Sequence, residues 1–238
     1  MRVAIIPSSH DSSRLPGKNT LLVNGKPMIA YPIQAAQKSG MFDKIIVSTA
    51  DKETTEIAKD LGCVVFPSPA ALQARDSTVV KVCRNVLAVL TDIQKTKPEY
   101  FCCIYATAIF LKPEDFEQSS SLLEWTDFVM CVSEFNYEPW HSMVEKYGCL
   151  HRKYPDAHFR KAAALFRGRT TWARHLSSNG TFYWAKTDAF LREGTFYGPH
   201  LKGYEISKYR GFDINTPEDF EIVQKLSMSG LAPNLPTE

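Results

Sequence analysis

The stretch RVAIIPSSHDSSRLPGKN, residues 2–19, indicates the fold class more clearly than any other part of the chain. Its apolar run, Val3 to Ile6, is typical of a short strand buried on both faces of a parallel sheet. Small and polar residues follow Pro7 as far as Asn19. Short side chains let a phosphate approach backbone N–H groups, and a basic residue supplies charge. The loop alone leaves two interpretations open, a phosphate-binding loop or an ordinary surface loop. The spacing of a Walker loop is absent.

The overall composition is typical of a soluble globular protein. The chain has 238 residues, of which 44% are hydrophobic and 23% are charged, and this suits one α/β domain that carries an insertion. The formal charge is +2 and no long basic run occurs, so nucleic acid is not an expected partner. No apolar run approaches the roughly 20 residues of a membrane span, so no membrane partner is expected.

The cysteines and the N-terminal residues favour a reducing compartment. The chain has six cysteines, none of them in CxxC spacing, so we expect reduced thiols and no structural zinc site. The first residues do not combine a basic region with a long apolar region, so no signal peptide is expected. These features predict a cytoplasmic protein.

Strand and helix patterns alternate through the first half of the chain. Buried strands are predicted at residues 44–49, 63–66, 100–105 and 127–133. Helices are predicted between them, from Pro27 to about Ser39, from the cap at Asp51 to about Leu61, from Asp76 or Ser77, and from Pro113 to about Leu123. Alternating strands and helices predict the α/β class, with a mostly parallel sheet and helices on both faces.

Two of these segments carry more specific signals. Asn24 and Gly25 form a turn signal between apolar residues, just before the first predicted helix. The third helix presents one apolar face, because its apolar residues repeat at intervals of three and four. These residues are Val79, Val82, Val86, Val89 and Ile93.

The alternation stops at residues 134–178, which are aromatic, basic and irregular. We interpret this stretch as an insertion in a single domain that spans residues 1–228. Strand character returns at residues 181–185, TFYWA. Thr216 and Pro217 then begin a last helix, and residues 229–238 form a tail.

Ligands of parallel α/β sheets bind beyond the carboxyl ends of the strands. That edge should carry residues 7–19, the stretch after Tyr105 and the region around Asp213. We therefore expect any ligand site to combine these three segments.

The chain resembles the cytidylyltransferases that activate nonulosonic acids (sialic, legionaminic and pseudaminic acids) as CMP-sugars. The pseudaminic acid branch is the most similar, and the resemblance runs from Ile5 to Phe220. The stretches that carry it are IIPSSHDSSRLPGKN, NGKPMIAYPIQAA, FDKIIVSTAD, CCIYATAIFLKPED, NGTFYWA and FDINTPEDF. The string RLPGK at Arg14–Lys18 also occurs in spore-coat polysaccharide cytidylyltransferases.

The resemblance implies a nucleotide-diphospho-sugar transferase-like fold and a reaction between CTP and an acidic nine-carbon sugar. A sugar hydroxyl attacks the α-phosphorus and pyrophosphate leaves. Mg²⁺ is implied as cofactor, because negative charge builds on the phosphate oxygens. A homodimer is also implied, in which the insertion reaches the partner subunit.

The resemblance further implies roles for individual residues. Lys18 and Asp213 would be catalytic, as phosphate contact and metal ligand, and Asn19 would help to hold the cytosine. Arg169 would pair with the sugar carboxylate, with Arg167 and Arg174 as competitors for that role. The other implied sugar contacts are Tyr105, Lys146, Asn179, Tyr183, Phe196 and Tyr197.

Several positions depart from the family pattern, at the triphosphate and the metal and, for Ser68, at the base. Ser9, Ser13 and Ser68 stand where relatives have basic residues, and Asn215 stands where they have a second metal-binding aspartate. Ala106 and Ile109 replace two prolines. Each lost charged contact costs about 1.5–3 kcal/mol, so other groups must compensate in an active enzyme. Asn215 still offers an oxygen to a metal. Besides Lys18 and Asn19, the nucleotide-binding candidates are Ser8, Ser9, His10, Ser13, Arg14 and Arg75.

Two alternatives follow from these departures. The chain could be a catalytically weakened or inactive relative that binds a nucleotide or a sugar as a module. It could also be a cytidylyltransferase for a different sugar acceptor.

Overall fold

The computed structural model describes residues 1–9, 12–69, 78–135, 142–153 and 175–229. The chain divides into two compact units. The main unit consists of Met1–Val132 and Ser178–Glu238, and the second unit is Ser133–Ser177. The second unit spans nearly the same residues as the stretch interpreted as an insertion.

The described residues contain eleven strands and six α-helices. The strands are β1 (Arg2–Pro7), β2 (Leu22–Val23), β3 (Lys26–Pro27), β4 (Lys44–Thr49), β5 (Val64–Pro67), β6 (Tyr100–Ile104), β7 (Phe128–Glu134), β8 (Met143–Lys146), β9 (Cys149–Arg152), β10 (Leu176–Lys186) and β11 (Leu201–Glu205). The helices are α1 (Ala30–Lys38), α2 (Lys52–Asp60), α3 (Val79–Ala88), α4 (Pro113–Ser121), α5 (Thr187–Glu193) and α6 (Pro217–Met228).

Seven strands form one sheet in the order β11-β7-β10-β6-β1-β4-β5. Strand β1 is central and pairs in parallel with both β4 and β6. The β4–β5 and β7–β11 pairs are also parallel, whereas β10 runs antiparallel to β6. The predicted class, a mostly parallel α/β sheet, is confirmed.

The two faces of β1 explain its unbroken apolar run. Ala4 and Ile6 belong to the core that includes residues of α1, α2 and α4. Val3 and Ile5 belong to the core on the other face, which includes residues of α3 and α5. All four side chains are fully buried, and each isoleucine contributes about 1.5–3 kcal/mol by leaving water.

The first predicted helix begins later than expected. Pro27 is not helical: it lies in β3, opposite Leu22 of β2, and α1 begins at Ala30. The turn between the two short strands has positive φ at Asn24 (47°) and Gly25 (75°), as a two-residue hairpin requires. The prediction was wrong because the hairpin keeps the chain extended through Pro27.

The apolar face of the third helix was predicted correctly only in its first turns. Val82 and Val86 are buried, but Ile93 is 73% exposed and Leu90 is fully buried instead. The α-helix ends at Ala88, and the next residues form a π-turn in which Gln94 N–H donates to Val89 C=O. Leu90 lies four residues after Val86, at the ordinary helical spacing, and the extra residue in the wider turn takes Ile93 off the buried face.

Helix α5, strand β11 and the β8–β9 hairpin were not predicted. Strand β11 lies at the edge of the sheet with four of its five residues exposed, so its sequence has no alternating pattern. The hairpin lies in the second unit and turns through Tyr147 and Gly148, both at positive φ. No helix in the described ranges has the length and apolar character to cross a membrane.

Candidate nucleotide and metal site

The loop after β1 and the segment before α6 are joined by two polar contacts. Lys18 Nζ donates to the backbone oxygen of Ile214 at 3.0 Å. Arg14 Nη2 donates to Asn215 Oδ1 at 2.7 Å. Gly17 adopts the left-handed conformation (φ 64°) just before the 3₁₀ turn Lys18–Thr20, which glycine tolerates at no steric cost. The structure thus brings together two of the three segments expected at the sheet edge.

A small apolar core lies beneath this junction. It combines side chains from the loop, the β2–β3 hairpin, α1, the stretch after β6 and α6. Its buried members are Leu15, Val23, Met28, Tyr31, Ile109, Phe110, Ile214 and Val223. Because these residues pack together, the loop and the segment around Asp213 are held by burial as well as by polar contacts.

Asn19 anchors the beginning of the loop to its end. Its side chain is buried, and Nδ2 donates to Ser8 Oγ at 2.8 Å and to the backbone oxygen of Ser9 at 3.2 Å. Ser8 N–H in turn donates to Ser48 C=O of β4 at 2.9 Å. Asn19 therefore fixes the shape of the loop, and its contact with cytosine stays a prediction.

A hydrogen-bonded chain links Arg14, Asn215 and Asp213. Asn215 Oδ1 accepts from Arg14, and Asn215 Nδ2 donates to Asp213 Oδ2 at 2.6 Å. The backbone of Asn215 is itself held, because its N–H donates to Asp219 Oδ2 at 2.9 Å. Asp219 also accepts from Thr216 N–H, in the capping box that begins α6. The helix start predicted at Thr216 and Pro217 is confirmed.

Burial and the charges at this junction shift the pKa of Lys18. Partial burial lowers the pKa of its ammonium group. The neighbouring Asp213 carboxylate opposes this shift, while the Arg14 guanidinium adds to it. An anionic ligand beside Lys18 and Arg14 would relieve both the burial cost and the mutual repulsion of the two cations.

An aromatic group lies near Asp213, formed by Tyr105 just after β6, Tyr183 of β10 and Phe196 after α5. The rings of Tyr105 and Tyr183 meet edge to face with centroids 5.8 Å apart, and Tyr183 stacks on Phe196 at 5.0 Å. Burial raises the pKa of Tyr183 to about 12 and that of Tyr105 still further. Both phenols are therefore neutral hydrogen-bonding groups at physiological pH. Phe196 is buried in the core, whereas Tyr197 is 66% exposed.

Asn179 and Thr181 continue the polar lining of β10. Both side chains are buried, and Thr181 Oγ1 donates to Asn179 Oδ1 at 2.6 Å. Tyr105 N–H donates to Thr181 C=O at 2.9 Å, which fixes the end of β6 against this strand. The predicted sugar-binding roles of Asn179 and Tyr183 stay predictions.

A buried ion pair behind the site was missed by sequence reasoning. Arg210 Nη2 pairs with Asp115 Oδ2, and Arg210 Nε donates to the backbone oxygen of Phe110 at 3.2 Å. Tyr204 OH donates to Asp115 Oδ1 at 3.1 Å. This network ties the segment that leads to Asp213 to the stretch after β6. No local pattern marks Arg210, which lies 95 residues from its partner.

The comparisons with known proteins agree with this architecture. A family model described as "Cytidylyltransferase" matches residues 3–232. The chain belongs to the cytidylyltransferase family. It is therefore a nucleotidyltransferase, and the resemblance seen in the sequence is confirmed.

Named members of the family are similar over nearly the whole chain. The pseudaminic acid cytidylyltransferase of Campylobacter jejuni is 27% identical and covers 94% of this chain and 95% of its own length. The CMP-N,N'-diacetyllegionaminic acid synthase of Legionella pneumophila is 28% identical and covers 95% of this chain and 96% of its own. A solved CMP:2-keto-3-deoxy-manno-octonic acid synthetase complexed with CTP has a TM-score of 0.66 at 18% identity, covering 94% of this chain and 97% of that one. At 18% identity, the similarity to this solved structure shows a shared fold and nothing more.

Among the described residues of this edge, Asp213 of the cytidylyltransferase offers an exposed carboxylate to a divalent cation. Asp213 is exposed, and Asn215 Oδ1 accepts a hydrogen bond from Arg14. In the described part of the chain, no group of three or more His, Cys, Asp or Glu residues is arranged to hold a metal ion. Mg²⁺ is commonly held by one or two carboxylates together with substrate phosphates and water. Asp213 fits that minimal requirement, and the role of Asn215 as a second metal ligand stays a prediction.

The remaining predicted residues fall into three groups. Ser13 and Arg14 are exposed in the loop, and Ser68 N–H donates to Thr49 C=O at the end of β5. Lys146 belongs to β8 of the second unit. The others lie outside the described residues, so their roles stay predictions: His10, Arg75, Arg167, Arg169 and Arg174.

Proposed function

We propose that this cytidylyltransferase transfers CMP from CTP to an acidic nine-carbon sugar of the nonulosonic class and releases pyrophosphate. Pseudaminic acid is the first candidate acceptor. The observation that carries the proposal is the junction of Lys18 and Arg14 with the Asp213 segment at the carboxyl edge of the sheet. Two cations beside one exposed carboxylate suit a metal-bound triphosphate.

The proposed mechanism assigns each group a simple task. Lys18 and Arg14 bind the phosphate oxygens and neutralise the charge that develops as the bond between the α- and β-phosphates breaks. Asp213 would hold Mg²⁺, which would supply further positive charge to the phosphates. The sugar hydroxyl releases its proton to solvent as its oxygen forms the new bond to the α-phosphorus, and pyrophosphate leaves with the electron pair of the broken bond. Asn19 keeps the loop in the shape that receives the nucleotide.

The proposed acceptor side of the site consists of Tyr105, just after β6, and the aromatic and polar residues of β10. Tyr105 and Tyr183 are neutral phenols that can hydrogen-bond sugar hydroxyl or acyl groups. Arg169 is the proposed partner of the sugar carboxylate. The names of the relatives from Campylobacter jejuni and Legionella pneumophila support an acidic sugar of this class.

The first experiment is calorimetric titration with CTP, with and without Mg²⁺, using ATP, GTP and UTP as controls. CTP-selective binding should be followed by incubation with pseudaminic, legionaminic and N-acetylneuraminic acid. Pyrophosphate release and the mass of the CMP-sugar identify the accepted sugar. A protein that binds CTP but converts none of these acids contradicts the proposed acceptor class.

One observation favours a second candidate, a catalytically weakened relative that binds a nucleotide without efficient transfer. Asn215 occupies the place of a metal-binding aspartate, and its oxygen is engaged by Arg14. Under this alternative, the chain binds CTP with little turnover, and Asn215→Asp together with Ser9→Arg raises the turnover. Strong activity of the unmodified chain rules it out.

We also propose a homodimer. The β8–β9 hairpin of the second unit exposes apolar side chains that a partner subunit would cover, namely Met143, Tyr147 and Leu150. Sedimentation equilibrium of the chain, compared with a variant in which Tyr147 and Leu150 are replaced by serine, tests this. A monomeric unmodified chain contradicts it.

A further inference from the structure

The side-chain amide of Asn215 bridges two opposite charges, the Arg14 guanidinium and the Asp213 carboxylate. Its Oδ1 lies 2.7 Å from Arg14 Nη2, and its Nδ2 lies 2.6 Å from Asp213 Oδ2. A primary amide has both an acceptor and donors, whereas a carboxylate has acceptors alone. An aspartate at this position would therefore keep the contact with Arg14, but it would repel Asp213.

The orientation of Asn215 is built into the backbone around it. Its N–H is held by Asp219 Oδ2 at 2.9 Å, and the preceding residue, Ile214, is fully buried. The backbone oxygen of Ile214 also accepts from Lys18 Nζ at 3.0 Å. With the backbone held on both sides, the amide meets both charged neighbours at once.

The amide also determines how much positive charge Arg14 keeps for a ligand. A guanidinium that forms an ion pair with a carboxylate is largely neutralised and has little charge left for a second anion. A guanidinium bonded to an amide oxygen keeps its full charge. The side chain of Arg14 is exposed, so this charge faces solvent and any ligand of the loop.

We infer that Asn215 is a positioning residue that keeps Arg14 available as a cation for the nucleotide triphosphate while orienting the Asp213 carboxylate. The inference rests on the proposed function in one respect, that the ligand of this edge is a nucleotide triphosphate. It follows that Arg14 and Lys18 bind polyphosphate even when no metal ion is present. Asn215→Asp would then weaken metal-free polyphosphate binding, although it adds a potential metal ligand.

The test uses inorganic tripolyphosphate as a probe in metal-free buffer, because it carries the phosphates without the base or the sugar. We expect Asn215→Asp to weaken its binding at least about ten-fold, as the loss of a charge-assisted contact does. Asn24→Asp is the matched control, since it makes the same chemical change at an exposed hairpin position outside the site. It should leave the affinity unchanged.

A double-mutant cycle separates positioning from a general effect of charge. Arg14→Ala alone should weaken tripolyphosphate binding, and adding Asn215→Asp should cost little more, because Arg14 is the group through which Asn215 acts. Full additivity of the two effects would overturn the inference. So would absence of metal-free tripolyphosphate binding by the unmodified chain.

The thermal midpoint of each variant shows whether the fold is intact, and titration with Mn²⁺ reports metal affinity separately. We expect Asn215→Asp to bind Mn²⁺ more tightly than the unmodified chain while it binds tripolyphosphate less tightly. Weakening of both would contradict the proposed division of roles. The outcome is independent of base selectivity: a chain that binds tripolyphosphate as expected but prefers another nucleotide to CTP refutes the proposed function and leaves this inference standing.

Discussion

Gly180 of β10 packs directly against the carboxylate of Asp213. A methyl group at this position would lie 3.1 Å from Asp213 Cγ and 3.2 Å from Oδ1. Gly180 also adopts the left-handed conformation, with φ of 65°. Asp213, whose side chain is exposed, thus packs against a strand position that leaves no room for a side chain.

Gly180→Ala should displace the Asp213 carboxylate. The contact is tighter than an ordinary Cβ contact, so the carboxylate or the strand must move by a few tenths of an ångström. We expect turnover to fall at least ten-fold and metal affinity to fall with it. The displaced Asp213 carboxylate no longer has the preorganised position in which it would hold the metal. Steady-state kinetics and Mn²⁺ titration measure the two effects.

Gly40→Ala provides the matched control. Gly40 has a nearly identical φ of 62°, but no atom lies within 4 Å of its added methyl group. Both variants should lose about 1–2 kcal/mol of stability from the left-handed backbone. Equal activity of the two variants would show that the close approach at Asp213 has no functional consequence.

The lowered pKa of Lys18 makes binding of the nucleotide dependent on pH. In the free protein, Lys18 loses its proton at a lower pH than an ordinary lysine, because burial disfavours the charged form. A bound triphosphate restores the charged form, so binding takes up a proton at alkaline pH and weakens as the pH rises through the lowered pKa. Calorimetry in two buffers with different ionisation enthalpies measures this uptake.

Lys18→Arg keeps a positive charge that does not titrate in this range. We therefore expect it to bind CTP without proton uptake, whereas Lys18→Met should bind CTP weakly at every pH. The same shift affects stability. Because the folded chain releases the Lys18 proton first, the free energy of unfolding should rise with pH between the lowered pKa and that of an ordinary lysine. Proton uptake that persists in Lys18→Arg would assign it to another group.

Asn19→Ala should loosen the loop. The change leaves the backbone oxygen of Ser9 and the buried hydroxyl of Ser8 without the Asn19 donor. We expect a loss of about 1–3 kcal/mol of stability, because the buried Ser8 hydroxyl loses a hydrogen bond, together with weaker CTP binding. Urea denaturation and calorimetry measure the two quantities.

Ser8→Ala supplies the control for this prediction. If the Asn19–Ser8 hydrogen bond accounts for part of the loss, the double variant should lose less than the sum of the single variants, by about 0.5–1.5 kcal/mol. Strict additivity would mean that Asn19 acts through the backbone of Ser9 or through the ligand.

The strands that determine the fold could be predicted because their signal is local. The run from Val3 to Ile6 is buried on both faces, so every residue of this run is apolar. The start of α6 could be predicted for a similar reason, since Thr216 and Asp219 bond each other within one helical turn. In contrast, Pro27 and Ile93 were wrongly placed because a hairpin register and a π-turn override the local pattern.

The site could be predicted only in its segments. Parallel topology places the loop after β1 and the region around Asp213 at one edge of the sheet, and this requires no knowledge of contacts. The hydrogen-bond partner of each side chain could not be predicted in this way. Arg14 and Asn215 are separated by 201 positions, and no periodicity links them. The same holds for Gly180, whose approach to Asp213 is visible only once the backbone is built.

The buried Arg210–Asp115 pair should contribute strongly to stability. Only 15% of the Arg210 side chain and 4% of the Asp115 side chain are exposed. Arg210→Ala would leave the Asp115 carboxylate buried without its cation, which typically costs about 3–5 kcal/mol. We therefore expect a large decrease in the free energy of unfolding, measured by urea denaturation.

The exposed Lys225–Glu221 pair on α6 is the matched control, with side chains 73% and 64% exposed. Lys225→Ala should change stability by less than about 1 kcal/mol, because exposed pairs contribute little. Arg210→Met combined with Asp115→Asn should lose less than the two single changes together, since it leaves no buried charge unpaired.

Arg210 should also influence the site through the segment it holds. It bonds the backbone oxygen of Phe110, whose side chain packs in the same core as Ile214, the residue next to Asp213. Arg210→Lys keeps the charge but loses the planar fork. We expect it to lower turnover under conditions in which the protein remains folded. If turnover is unchanged in a folded Arg210→Lys protein, the network stabilises the fold but does not position Asp213.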